Sequence, residues 1–150
     1  MIDQFLGSWK LVDSENFDEF MKSLGVSSSV RIVGNVLKPT LILTKRGDYY
    51  TMRTETTFKT TEILFKLGIE FDETTADERK AKTLIIFEDN ALIQTQKWDD
   101  KEIIIKRELV DEQMVVTSKT TRQHRQRTNR RHRDHHSAWR HCVVGGLQYA

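Results

Sequence analysis

An arginine on the apolar face of a predicted strand is the residue in this sequence with the clearest capacity for chemistry. Arg107 lies in the run 103–110, and counting by twos it shares a face with Ile103, Ile105 and Leu109, while Lys106 and Glu108 lie on the opposite face. An arginine keeps its proton, so burying it without a counter-charge is costly. The pattern predicts a buried anion and an interior large enough to hold one. An internal salt bridge is the alternative interpretation.

Composition limits the remaining possibilities. The chain has 150 residues, of which 37% are hydrophobic and 31% charged, and its apolar residues are regularly spaced, which indicates one folded domain. The single cysteine, Cys142, cannot form an internal disulfide, and no Cys/His spacing in the body of the chain suggests zinc. We expect no metal and no cofactor. No catalytic residue is predicted, since the body has no histidine and no nucleophile beside a base.

The ends of the chain differ sharply in charge. Residues 1–118 contain 16 Lys and Arg against 21 Asp and Glu, whereas residues 119–150 contain 8 against 1 and all five histidines. The N-terminus shows no secretory signal, and no apolar stretch approaches the length of a membrane span. We therefore expect a cytoplasmic protein, with the nucleus as a second location.

Two short helices are predicted near the N-terminus. The apolar stripe of the first begins at Phe17 and ends at Leu24, with Ser14 as its expected N-cap. The second is expected to be capped by Ser27 or a neighbouring serine, has a stripe of valines that includes Val33, and ends before Pro39.

From Thr40 onward the spacing of apolar residues changes to period two, in short runs separated by turn residues. This predicts a mainly β fold, an antiparallel meander that closes into a barrel. The turns Asp99-Asp100 and Asp111-Glu112 lack glycine, so any residue there with a positive φ is strained by about 1 kcal/mol. The predicted strands are Thr40–Lys45, Tyr49–Thr56, Thr60–Leu67, Lys82–Glu88, Ala91–Trp98, Glu102–Val110 and Gln113–Ser118.

Several extended motifs, in order, resemble the intracellular fatty-acid-binding protein family of calycin-type lipid carriers. They are Gly7-x-Trp9-x-Leu11, Asn16-Phe17-Asp18-x-Phe20-Met21, Lys38-Pro39-Thr40, Thr57-Phe58-Lys59, the run from Glu70 to Arg79, and Gln96-Lys97-Trp98. The resemblance implies a ten-stranded antiparallel β-clam for residues 1–118. A helix-turn-helix lid would cover a cavity that holds a long-chain fatty acid or a similar hydrophobic carboxylate. It implies no catalysis.

The resemblance also implies roles for individual residues. Arg107 matches the family's carboxylate-binding arginine on the eighth strand. The residues expected at the lid and portal are Phe17, Met21, Val33, Pro39 and Phe58, although their apolar side chains would also serve simply to pack the helices on the barrel.

Three polar residues are expected inside the cavity. Asp77 and Arg79 would lie near the middle of the ligand chain, and the alternative is a solvent-facing pair of little energetic worth. Gln96 shares a face with Gln94 and is expected to be a polar partner of Arg107.

The tail departs from the family pattern. An Arg-x-Tyr pair on the closing strand is expected near residues 127–129, where Arg127 is followed by Thr128-Asn129. Residues 119–150 are therefore predicted to be a basic, disordered tail. Either the last strand is missing and the barrel is open and destabilised, which we favour, or residues 143–149 fold back as a poor replacement strand.

Two functional hypotheses follow. The first is a monomeric carrier of fatty acids that makes transient contact with membranes, helped by Lys22 and Arg31 on the helices. The second is a non-binding variant with an incompletely closed barrel, whose basic tail associates with nucleic acid or an anionic lipid surface. The tail lacks interleaved aromatic residues, so nucleic-acid binding is not firmly indicated. An altered reading frame or an alternative exon is our preferred origin for the tail.

Overall fold

The computed structural model of this chain describes residues 2–122 and 140–149, and the side chains of residues 2–120. The chain forms a mainly β fold with a pair of helices after the first strand. The elements are a 3-10 turn at Ile2–Phe5, β1 Gly7–Glu15, α1 Phe17–Ser23, α2 Ser28–Val36, β2 Thr40–Arg46, β3 Tyr49–Glu55, β4 Thr60–Lys66, β5 Phe71–Thr74, β6 Lys80–Glu88, β7 Ala91–Trp98, β8 Lys101–Val110, β9 Gln113–Arg122 and β10 Arg140–Tyr149.

The ten strands form a continuous antiparallel sheet in the order β4-β3-β2-β1-β10-β9-β8-β7-β6-β5. Every connection between neighbours in sequence is a hairpin or a short loop, apart from the helices between β1 and β2 and the chain between β9 and β10. β4 and β5 are the two end strands of the sheet and do not pair with each other. Leu43 and Phe65 from one half of the sheet pack in the same core as Ile85 and Leu92 from the other. The sheet therefore curls over itself, as the predicted β-clam requires.

β10 closes the sheet between β1 and β9. Its register pairs Trp9 with Tyr149 on one side and Met114 with Leu147 on the other. The open barrel that we favoured from the sequence is therefore wrong, and the replacement strand is the alternative that the structure shows. The physical reason is that the edges of β1 and β9 each present unpaired backbone groups, and a strand between them satisfies both.

The predicted boundary at residue 118 falls inside β9, which continues to Arg122. Residues 140–149 of the predicted tail form β10. The expectation of disorder for the rest of the tail concerns residues 123–139, which lie outside the described residues.

The main core lies at the end of the barrel that the N-terminal 3-10 turn closes. Phe5 is buried and meets Phe87 edge-to-face, with 5.9 Å between the ring centroids. The indole Nε1 of Trp9 donates a hydrogen bond of 2.8 Å to the carbonyl oxygen of Phe5. These contacts fix the first strand against the rest of the sheet. No helix among the described residues is long and apolar enough to cross a membrane.

The two predicted helices are present, but the first begins differently from the prediction. Its N-cap is Asn16, in a left-handed conformation with φ of 62°, and not Ser14. Ser14 belongs to β1, because it pairs with Gly145 of β10. The strand thus extends to Glu15, and the turn into the helix falls later than local capping preferences suggest. Ser27 is the N-cap of α2, as predicted, without a side-chain capping bond.

All seven strands predicted from Thr40 onward are present, with ends shifted by up to four residues, and among these hairpins β5 was missed. β5 has only four residues, too few to establish an alternating pattern. Three residues of the tight turns without glycine do have positive φ angles, 51° at Asp99, 48° at Asp111 and 65° at Glu112. The hairpin turns therefore carry the backbone strain expected from the sequence.

Relief of that strain is testable at Glu112. We expect Glu112→Gly to raise the free energy of unfolding by about 1 kcal/mol, because glycine adopts a positive φ without a Cβ clash. Urea unfolding measures the change. Lys106→Gly, at an exposed position in the middle of β8, is the control and should lower the stability. A loss of stability in both variants would contradict the assignment of strain to the turn.

Candidate functional site

A cavity of about 230 Å³ lies inside the sheet, beneath α1. Five apolar side chains form one part of its wall: Phe20, Met52, Ile63, Ile103 and Ile105. The charged and amide groups of the wall are Glu73, Asp77, Arg79, Gln94, Gln96 and Arg107. The cavity thus combines an apolar surface with a few converging polar groups, which is typical of a small-molecule binding site.

A larger, open cleft of about 580 Å³ lies along β5, β6 and β7, and its lining includes Asp72, Lys80, Lys82 and Lys97. Asp72 and Lys82, which are exposed, form a surface ion pair, and the partly buried Glu73 lines this cleft as well as the smaller cavity. Arg107 does not line this cleft. We therefore place the candidate site in the smaller internal cavity.

Arg107 is buried, as the alternation along β8 predicted. Arg107 is only 9% exposed, whereas the neighbouring Lys106 is exposed. The guanidinium Nη1 donates a 2.9 Å hydrogen bond to Oε1 of Gln94 on β7. The Nε of Arg107 is also buried, and it has no hydrogen-bond partner among the described residues. The Nε atom is therefore a buried donor that the described residues leave unsatisfied.

Burial of the guanidinium has a measurable electrostatic consequence. Desolvation lowers the pKa of Arg107 to about 10, and the negative charge of Glu73 opposes this shift without cancelling it. The group stays protonated at neutral pH, so the cavity keeps a positive charge that is only partly compensated.

The partial counter-charge is Glu73 on β5, a residue that the sequence patterns did not reveal to us. Its Oε1 accepts hydrogen bonds from Oγ1 of Thr83 at 3.0 Å and from Nε2 of Gln94 and of Gln96, each at 3.1 Å. Its Oε2 accepts a further bond of 3.0 Å from Gln96. Gln94 thus joins the acid to Arg107, since its amide nitrogen faces one and its amide oxygen faces the other.

A signal for Glu73 was present in the sequence. By period two it shares a face with Phe71 and Thr75, and Phe71 packs against the main core while Thr75 is buried. Gln96 was predicted to be a polar partner of Arg107, and it belongs to the same hydrogen-bonded network without contacting the guanidinium. Gln96 lines the cavity and contacts Glu73, and it is Gln94 that hydrogen-bonds to Arg107.

Asp77 and Arg79 also line the cavity, on the side nearer to α1. The Arg79 Nε donates a 2.6 Å hydrogen bond to Oδ2 of Asp77, and its guanidinium lies 4.2 Å from the ring centroid of Trp98. Burial acts to raise the pKa of Asp77, but hydrogen bonds from Arg79 and Thr75 outweigh it, so the pKa lies below its ordinary value. The pair is a partly buried, hydrogen-bonded unit and not a solvent-facing pair.

The five predicted lid and portal residues do not line this cavity, and Phe20 is the residue of α1 that does. Phe17 packs beside Phe20 and Ile103, and Met21 is buried between the helices. Pro39 is partly buried, and its carbonyl oxygen accepts a 3.1 Å hydrogen bond from the Leu11 amide. The remaining two, Val33 and Phe58, are exposed.

α2 packs on α1 through polar groups and a glycine, not through its valines. Arg31 and Asn35 both donate hydrogen bonds to Oδ1 of Asp18, at 3.2 and 2.9 Å. A Cβ at Gly34 would lie 2.8 Å from the Met21 sulfur. These three positions of α2 are spaced i, i+3 and i+4, so they form one face. No residue of α2 is buried, and Arg31, which we expected to face a membrane, is engaged with Asp18.

Arg127, the predicted equivalent of the family's closing-strand arginine, lies outside the described residues. Across the neighbouring strands, Arg107 is paired with Val116 on β9, and Val116 is paired with Gly145 on β10. No group of three or more His, Cys, Asp or Glu residues in the described ranges is arranged to hold a metal ion.

The Asp77 carboxylate gives a pH-dependent prediction. We expect Asp77→Asn to lower the free energy of unfolding by about 1 kcal/mol at pH 7. The pKa of Asp77 is lowered on folding, so its contribution is present above the ordinary value of 3.8 and is lost as the pH falls through the folded value. Urea unfolding at pH 7 and pH 3 should show a smaller difference at pH 3. Asp72→Asn, at an exposed ion pair, is the control. An equal loss at both pH values would contradict this role.

Comparison with known proteins supports the family resemblance found in the sequence. Residues 6–129 match the lipocalin / cytosolic fatty-acid binding protein family. The fatty-acid-binding protein 1 of Echinococcus granulosus is 34% identical with a TM-score of 0.83, and the match covers 98% of each chain. The Schistosoma mansoni fatty acid binding protein, solved with arachidonic acid, is 33% identical with a TM-score of 0.83, over 99% of this chain and 98% of that one.

A fatty-acid-binding protein from the brain of Drosophila melanogaster is 40% identical with a TM-score of 0.79, and the match covers 96% of this chain and 98% of the fly protein. The identity, the coverage and the shared topology agree with the motifs that the sequence contains. The chain therefore belongs to the lipocalin / cytosolic fatty-acid binding protein family.

Proposed function

We propose that this chain is a non-enzymatic carrier that binds long-chain fatty acids, or similar hydrophobic carboxylates, inside its barrel. The observation that carries the proposal is Arg107, a buried cation that lines the cavity and has an unpartnered Nε donor among the described residues. A carboxylate is the complementary group, because it accepts charge-assisted hydrogen bonds from a guanidinium. The relative from Schistosoma mansoni, solved with arachidonic acid, supports this class of ligand.

The apolar wall of the cavity would hold the start of the hydrocarbon chain. Phe20, Met52, Ile103 and Ile105 line the cavity together with Arg107. Each methylene transferred from water to such a surface contributes about 0.8 kcal/mol. Most of the affinity would therefore come from the chain, while the polar floor fixes the orientation of the ligand.

We expect the helices to move when a long chain enters the cavity. Its volume of about 230 Å³ lies below the range of roughly 300–1,000 Å³ that is usual for ligand sites. α2 is the element best suited to move, because none of its residues is buried and it is linked to α1 through Asp18. Movement of this lid would bring Phe17, Met21, Val33, Pro39 and Phe58 into contact with the ligand chain.

We also propose that the protein works as a monomer in the cytosol and collects or delivers its ligand during transient contact with membranes. The exposed valines Val33 and Val36 of α2, together with Phe58 in the turn after β3, support such contact. Lys22, which is exposed on α1, would add attraction to an anionic lipid surface.

The role of Arg107 is tested by displacement of a fluorescent fatty acid. We expect Arg107→Ala to weaken binding of a long-chain fatty acid by about tenfold to a hundredfold, since a hydrogen bond to a charged group contributes about 1.5–3 kcal/mol. Lys106→Ala, on the exposed face of the same strand, is the matched control and should bind as the unaltered chain does.

Two results of this experiment would count against the proposal. If the unaltered chain bound no fatty acid, fluorescent or unlabelled, the carrier function would be wrong. If Arg107→Ala and the unaltered chain bound equally well, the carrier function would stand and the assignment of the carboxylate to Arg107 would be wrong.

A further inference from the structure

The second helix is held to the rest of the protein by very few groups. Seven of the nine residues of α2 are exposed, and the two that are partly shielded from water are Arg31 and Gly34. An isolated helix of this length is only marginally stable in water. α2 therefore depends on its contacts with α1 to keep its position.

The polar contacts of α2 converge on a single carboxylate. Oδ1 of Asp18, in the first turn of α1, accepts a 3.2 Å hydrogen bond from Nε of Arg31 and a 2.9 Å hydrogen bond from Nδ2 of Asn35. Nη1 of Arg31 also donates a 2.8 Å bond to the carbonyl oxygen of Val26, in the connection between the helices. We call Asp18, Arg31 and Asn35 the clasp, since together they tie α2 to α1.

The clasp favours the closed position of α2 without fixing it there. The amide of Asn35 and the guanidinium of Arg31 stabilise the ionised carboxylate, so the pKa of Asp18 lies below its ordinary value of 3.8. Both charged side chains remain in contact with water, because Arg31 is 21% and Asp18 is 49% exposed. Water weakens ion pairs of this kind. The clasp therefore opens at a small cost in free energy.

The clasp lies away from the space that a ligand would occupy. None of its three residues lines the cavity. A group that does not touch the ligand contributes equally to the closed form of the free protein and to the closed form of the loaded protein. Removing it therefore changes how often α2 opens, and it leaves the difference between the free and the loaded state nearly unchanged.

We propose that the clasp centred on Asp18 sets the rate at which a fatty acid enters and leaves the cavity. Its hydrogen bonds hold α2 closed in both the free and the loaded protein. The inference rests on the proposed function, since the rates are those of the same ligand at the same cavity. It assigns Asp18 a kinetic role and leaves the affinity to the residues of the cavity wall.

Stopped-flow measurements with a fluorescent fatty acid test this role. Association is followed on mixing, and dissociation on adding an excess of unlabelled oleate. In Asp18→Ala both rate constants should rise by about fivefold to tenfold, while Kd stays within about twofold of that of the unaltered chain. Asn35→Ala removes one hydrogen bond and keeps the ion pair with Arg31, so its rate constants should rise by about threefold.

Glu19→Ala is the matched control, because Glu19 is the exposed acid next to Asp18 in the first turn of α1. Both substitutions remove an acid that interacts favourably with the helix N-terminus, and only one of them breaks the clasp. The rate constants of Glu19→Ala should stay within about 1.5-fold of the unaltered values. Unchanged rate constants in Asp18→Ala, an equal rise in Glu19→Ala, or a rise in dissociation alone would overturn the kinetic role.

Hydrogen exchange of the ligand-free chain tests the clasp without any ligand. The amides of α2 should exchange about fivefold to tenfold faster in Asp18→Ala than in the unaltered chain, while those of β7 and β8 keep their rates. Equal exchange in α2 would overturn the clasp and leave the carrier function intact. If the unaltered chain bound no fatty acid, the carrier function and the kinetic role would both be wrong.

Discussion

The burial of one positive charge is the constraint on which the interior of this protein depends. Arg107 points from β8 into the barrel, and its desolvation is strong enough to lower its pKa to about 10 despite the negative charge of Glu73. A chain selected only for stability would place an aliphatic residue there, as it does at Ile103 and Ile105 on the same face. This cost is consistent with the ligand-binding role that we propose for the arginine.

The neighbouring strands are arranged to tolerate this charge without neutralising it. β7 supplies Gln94, whose amide contacts Arg107 at one end and Glu73 at the other. β6 and β7 supply the donors that hold Glu73, namely Thr83 and Gln96. All of these residues are buried or partly buried, and the antiparallel register places them on one face. Because Glu73 is held by neutral donors and does not hydrogen-bond to Arg107 directly, its negative charge lowers the cost of burying the guanidinium and leaves the guanidinium able to bind another group.

Local patterns in the sequence predicted most of this arrangement. Period two along β8 is sufficient to identify the buried face that carries Arg107, and the same period along β7 indicates Gln96. The helices and the glycine-free turns were also predicted, because stripes and turn residues are local signals. Glu73 was missed because its strand has four residues, too few to show the alternation that would have placed it beside Phe71.

Other features depend on contacts between distant parts of the chain and could not be predicted locally. β1 extends through Ser14 because β10, which lies far along the chain, pairs with it. The same pairing closes a barrel whose last strand lacks the expected family motif. The valine stripe of α2 indicated a buried face, yet α2 packs through Arg31, Gly34 and Asn35 and leaves the valines exposed. Long-range pairing and the choice between two helix faces are decided by the assembled fold.

We propose that Arg107 is kept at a cost in stability for the sake of binding. The free energies of unfolding of the ligand-free chain and of Arg107→Met, obtained by urea titration at pH 7, measure this cost. We expect the methionine variant to be more stable by about 1–3 kcal/mol, since it fills similar space without a buried charge. Equal or lower stability of Arg107→Met would show instead that the arginine supports the fold.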